Sequence, residues 1–98
     1  MNYTVQDAWE FFLSTKDLKS STRQIDIYRW NAHLKHFWGD KGLTTIRNIH
    51  VFEYKKILEN SSLSPQSILL CLALLRRVLR RAIQIELYPG PIPYFEMP

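Results

Sequence analysis

Four arginines stand as two doublets, Arg76-Arg77 and Arg80-Arg81, in the stretch LRRVLRRA. On a helix they fall within one arc of about 140°, while Leu72, Leu75, Val78, Leu79, Ala82 and Ile83 fill the other side. A guanidinium fork holds a phosphate, or the O6 and N7 edge of guanine, in two parallel hydrogen bonds, whereas lysine acts as a point charge. Few acids stand at helical spacing to neutralise the stripe; Glu86 follows, beyond reach of Arg76 and Arg77. The imbalance favours an external anion, with an ordinary solvated, salt-bridged face as the alternative.

A second basic group, Lys16, Lys19 and Arg23 with Ser20, Ser21 and Thr22, surrounds the expected start of a helix, where free amides and the helix dipole favour an anion. A capped helix start with surface lysines is the alternative. On that helix Asp26, Arg29, His33 and His36 are expected on a wet face. His33 and His36 lack further ligands, since Asp26 lies two turns away and Cys71 belongs to an apolar run, so no metal site is expected. No glycine-rich loop follows a strand, no nucleophile has an evident base, and the nine acidic residues are scattered, which argues against enzymatic chemistry. Trp9, Trp30, Phe37, Trp38 and Tyr54 recur at core-facing positions and read as packing rather than a base-stacking platform.

Four helical segments must position these groups, and none of the chain alternates as a strand, so the fold class is all-α. Val5, Ala8, Trp9, Phe12 and Leu13 set a first helix from about Val5 to Thr15 with Thr4 as its cap. A second, capped by Ser21 or Thr22, spans roughly Thr22 to Trp38 and stops at Gly39, burying Ile27, Trp30, Leu34, Phe37 and Trp38. A third runs from Ile49 to Leu58; its best face is Val51, Tyr54 and Leu58, and the spread of Ile49, Phe52 and Ile57 predicts a central helix packed on more than one neighbour. Ser64-Pro65 opens the fourth, which continues to about Leu87, before Tyr88-Pro89-Gly90-Pro91-Ile92-Pro93 forbids helix. Residues 1–88 read as one domain and 89–98 as a linker.

At 98 residues, 46% hydrophobic and 13% aromatic, the chain can bury the core of a single domain. Thirteen Lys and Arg against nine Asp and Glu leave a net charge of +4, which favours polyanionic partners. The one cysteine, within ILLCLALL, cannot form an internal disulfide and reads as a buried thiol of a reducing compartment. The longest apolar run, Ile68 to Leu75, is far short of the roughly 20 residues a bilayer needs, and no secretory leader is recognisable, so the expectation is a soluble, cytoplasmic protein with no membrane partner.

Laid out in order, AWEFFL, KSSTRQIDIYRWNAHLKHFWGDKGLTTI, IHVFEYKKIL, LSPQSI and LALLRRVLRRAIQIELYPGPIP resemble the core-binding domain of tyrosine recombinases, the SAM-like N-terminal domain of phage integrases, from Trp9 to Pro93. The resemblance implies a four-helix SAM-like orthogonal bundle forming half of a C-shaped clamp on double-stranded DNA, with the second and fourth helices toward the major groove. It points to Lys19, Ser21, Thr22 and Arg23, to Arg29 and His33, and to Arg76, Arg77, Arg80 and Arg81 as DNA-binding residues. Where the family often carries a polar pair after the start of the fourth helix, this chain has Ile68 and Leu69. Cleavage in the family belongs to a downstream domain with a tyrosine nucleophile. Tyr3, Tyr28, Tyr54, Tyr88 and Tyr94 read instead as packing or linker residues, so the expected module binds without cutting, needs no cofactor, is monomeric alone and meets other recombinase subunits on DNA. A helical protein-interaction module with a basic face and a small stand-alone DNA-binding regulator remain the alternatives.

Overall fold

A computed structural model describes residues 2–96. Thr4 Oγ1 accepts the Asp7 amide at 3.1 Å and the Asp7 carboxylate accepts the Thr4 amide at 2.9 Å, a reciprocal cap that opens α1, Val5–Thr15. Val5, Ala8, Trp9 and Phe12 are buried on it, as their spacing predicts. The next amides of α1 are also taken, Val5 by the Lys41 carbonyl at 2.8 Å and Gln6 by the Gly39 carbonyl at 3.1 Å. These bonds tie the start of the chain to the loop after the second helix.

The second helix, α2, is three continuous pieces: α-helical Ser20–Arg29, π-helical Trp30–Leu34 and α-helical Lys35–Trp38. It begins earlier than expected. Lys19 holds the extended N-cap backbone without a side-chain cap, and its carbonyl accepts the Arg23 amide at 2.9 Å, so Ser21 and Thr22 are exposed first-turn residues and not caps. In a uniform α-helix, residues four apart drift by about 40° per step. The wider turn, in which the Lys35 amide reaches back to the Trp30 carbonyl, absorbs this drift and leaves Trp30, Leu34 and Trp38 all fully buried. The Tyr54 hydroxyl donates to the His33 carbonyl at 2.8 Å within this segment.

Gly39 closes α2 by close approach: a Cβ there would lie 2.7 Å from the Lys35 carbonyl oxygen. A single 3-10 turn, Leu43–Thr45, leads to α3, Asn48–Glu59, whose Val51, Tyr54 and Leu58 are buried as expected. The expectation that α3 packs on more than one neighbour holds, since Tyr54 meets Phe37 and Trp38 of α2 and the helix also contacts the long last helix. The residues that prompted it do not serve that packing, because Ile49, Phe52 and Ile57 are exposed.

Ser64 accepts the Ser67 amide at 3.2 Å, and Pro65 begins α4, Pro65–Gln84, the long rod against which the other helices pack. It buries Ile68, Cys71, Leu72, Leu74, Leu75, Val78, Leu79 and Ala82. α4 ends three residues short of Leu87: Leu87 donates to the Ala82 carbonyl at 2.8 Å and Glu86 to the Ile83 carbonyl at 3.0 Å, with Glu86 left-handed at φ 63°. That pattern is the glycine-type helix ending, made here with glutamate.

From Tyr88 to Glu96 the chain is non-helical and meets α3. Tyr88 and Pro93 are buried, the Tyr94 amide donates to the Asn48 side chain at 2.9 Å, and Lys55 donates to the Glu96 carbonyl at 3.0 Å. Met1, and the Met97-Pro98 end of the expected linker, lie outside the described residues. The core is aromatic, with Trp9 stacked on Trp30 at 5.0 Å and Trp38 edge-on to Tyr54 at 5.4 Å. Among the described residues the extended structure amounts to one isolated bridge, Thr4 to Gly42, and no helix is long and apolar enough to cross a membrane.

Candidate nucleic-acid interface

The arginine stripe forms as periodicity predicts, on the side of α4 opposite its buried residues, but its four members are not equivalent. Arg77 donates to both oxygens of Asp26 at 3.0 Å each, a bidentate bridge from α4 to α2. Arg81 donates to the Thr15 hydroxyl at 2.9 Å, to the Thr15 carbonyl at 2.7 Å and to the Gln84 side chain at 3.2 Å. Arg76 and Arg80, on the other edge of the arc, have no such partner among the described residues; Arg80 is exposed and Arg76 half-buried.

Asp26 contradicts its expected place on a wet face: it is 1% exposed. The signal was present, since Asp26, Trp30, Leu34 and Trp38 are spaced by four and form one stripe of α2 with an acid at its head. Arg29 lies 3.8 Å from the same carboxylate, so Arg29, Asp26 and Arg77 form a cluster of two cations and one anion, with net positive charge left over.

Arg23, at the start of α2, also turns inward, donating to the Leu13 carbonyl at 2.7 Å. The last turn of α1 carries no cation of its own, and its orphan carbonyls at Leu13 and Thr15 are satisfied by arginines from α2 and α4. Lys19, Ser21 and Thr22 remain exposed beside this junction. His33 is half-buried, edge-on to the Tyr28 ring at 6.2 Å.

Sequence reading of α4 missed what joins the stripe to α1. Lys16, Arg77, Arg80, Arg81 and Gln84, with Phe12 beneath, line a notch of about 150 Å³ at the junction of the two helices. Among the described residues no carboxylate lines it. Lys16 had belonged only to the second basic group; the fold brings the two groups together. Elsewhere, no set of three or more His, Cys, Asp or Glu among the described residues could hold a metal ion.

Burial shapes three titratable groups elsewhere in the molecule. It pushes the Tyr54 hydroxyl far above the usual phenol range, with the neighbouring Cys71 adding to the shift, and it raises the Cys71 thiol and the Tyr88 phenol as well.

No family model matches the chain, and no curated protein does. Among solved structures, the solution NMR structure of the integrase-like domain from Bacillus cereus superposes with a TM-score of 0.80 at 20% identity, covering 89% of this chain and 75% of that one. The likeness shows that the two chains share an all-α fold.

Proposed function

We propose that this chain is a double-stranded DNA-binding module of the tyrosine recombinase type, which grips its site without cutting it and acts in the bacterial cytoplasm or nucleoid. The observation that carries the reading is the joined basic face: the α4 stripe, the end of α1 and the start of α2 gather cations with few acids, on a fold similar to an integrase-like domain. Lys19, Ser21 and Thr22 offer backbone-positioning contacts, as do Arg29 and His33 farther along α2. Base reading falls to Arg76, because the forks of Arg77 and Arg81 already hold protein acceptors and Arg80 lines the notch beside Lys16. Strand cleavage belongs to a separate domain carrying the nucleophile.

Fluorescence titration with duplex DNA at two salt concentrations tests the reading. Binding that weakens steeply with salt supports it, and no binding at low salt, or binding indifferent to salt, overturns it. The resemblance implies a two-part clamp, so this module by itself is expected to bind weakly.

The exposed Ile49, Phe52 and Ile57 on α3 favour a second role, contact with another protein, such as a neighbouring recombinase subunit on DNA. Self-association that survives loss of the arginines and disappears with Ile49→Ser/Ile57→Ser would favour it.

A further inference from the structure

We infer that the notch between the end of α1 and α4 is a seat for a single phosphate group of the DNA backbone, with Lys16 and Arg80 as its movable ligands and Arg77 and Arg81 as its fixed walls. The inference rests on the reading above and adds to it a discrete site. Its geometry separates two kinds of cation. Arg81 is locked by three hydrogen bonds to Thr15 and Gln84, and Arg77 by two to Asp26, so neither can follow a ligand. Each still has N–H groups to spare, because a guanidinium carries five donors. Lys16 and Arg80 are exposed and, among the described residues, hold no acceptor.

Four cations converge on about 150 Å³ over an apolar floor, and Asp26, the carboxylate bonded to Arg77, is turned inward and shared with Arg29. Crowded like charges repel, and the repulsion is relieved when an anion enters. Phosphate suits the place because preset N–H groups meet its oxygens while a lysine adds an adaptable charge. A carboxylate from the chain could have filled the notch, and none of the described residues supplies one.

The test measures duplex binding against salt for the wild type, Lys16→Ala, Arg80→Ala and the double variant, on two unrelated sequences. Lys56→Ala, on the exposed side of α3, serves as a control that changes charge by the same amount as each single variant. A shared seat predicts that the double variant lowers the slope of log affinity against log salt by about 0.9, one phosphate, so that its deficit is about 3.5-fold larger at 50 mM than at 200 mM. The loss is the same on both duplexes, and Lys56→Ala leaves the slope in place. A second arm compares melting in inorganic phosphate with melting in chloride of equal ionic strength; phosphate raises the midpoint of the wild type and not of the double variant.

Wild-type binding with an unchanged slope in the double variant overturns the seat and leaves the DNA reading standing. A slope change near 1.8 overturns it too, since it means two separate phosphates. If the wild type binds no duplex, the DNA reading falls and takes the DNA seat with it; a phosphate effect lost in the double variant would then identify free phosphate as the occupant.

Discussion

Arg77 and Asp26 meet through two parallel hydrogen bonds of 3.0 Å, and the bridge has one dry end and one wet end: the Asp26 side chain is 2% exposed and the Arg77 side chain 39%. A residue of the basic stripe is thereby also a structural residue, which decides how the stripe can be dissected.

Arg77→Ala strands a buried carboxylate and is expected to cost about 3 kcal/mol, the low end for a broken buried pair because Arg77 itself stays partly solvated. Urea denaturation checks this. The same substitution made in an Asp26→Leu background should cost much less, and a cycle with no coupling would refute the structural role.

Arg76→Ala and Arg80→Ala should leave stability within about 0.5 kcal/mol of wild type while weakening duplex binding several-fold. Arg81→Ala is expected to lose about 1 to 2 kcal/mol, because it uncaps the end of α1. Replacing all four arginines at once therefore confuses binding with folding, and thermal melts of the single variants separate them.

Glu86 occupies a left-handed backbone position that glycine adopts without strain. Glu86→Gly should stabilise the domain by about 0.5 to 1 kcal/mol, raising the melting midpoint by roughly 4 °C. A lower midpoint would show that the glutamate makes a compensating contact.

Tyr54, Cys71 and Tyr88 all hold their protons more tightly when folded. In the unfolded chain the thiol ionises near its ordinary 9.0 and the phenols near 10.0, so the unfolded state gains from rising pH before the folded state does. These groups add no pH dependence below about pH 9, and stability falls as pH climbs above it. Urea midpoints from pH 7 to 11 should show the fall, and Cys71→Ala should reduce it.

The helices and their buried faces were legible because local chemistry wrote them: the Thr4 cap, the Ser64-Pro65 start, and the spacing of Val51, Tyr54 and Leu58. What escaped depended on partners distant in sequence. Nothing near Arg77 announces Asp26, 51 residues away, and nothing near Arg81 announces Thr15, 66 away. The π-helical turn escaped because a strict 3.6 period was applied where Trp30, Leu34 and Trp38 needed a wider one. The exposed Ile49, Phe52 and Ile57 were misread because apolar residues were assumed to require cover, a rule that holds in one direction only. At the end of α4, Glu86 hid the stop signal that glycine normally provides.

The end of α1 receives its last hydrogen bonds from Arg23 and Arg81, one on each of two other helices. Under the proposed function this makes assembly and recognition a single event. A half-folded chain, with α1 formed but α2 or α4 undocked, has a frayed helix end and arginines scattered in solvent, so it presents diffuse charge and no shaped surface. The proposed anion-binding face exists only once the last helix has arrived, so on that reading the chain is screened by its own folding before it engages a partner with any geometry.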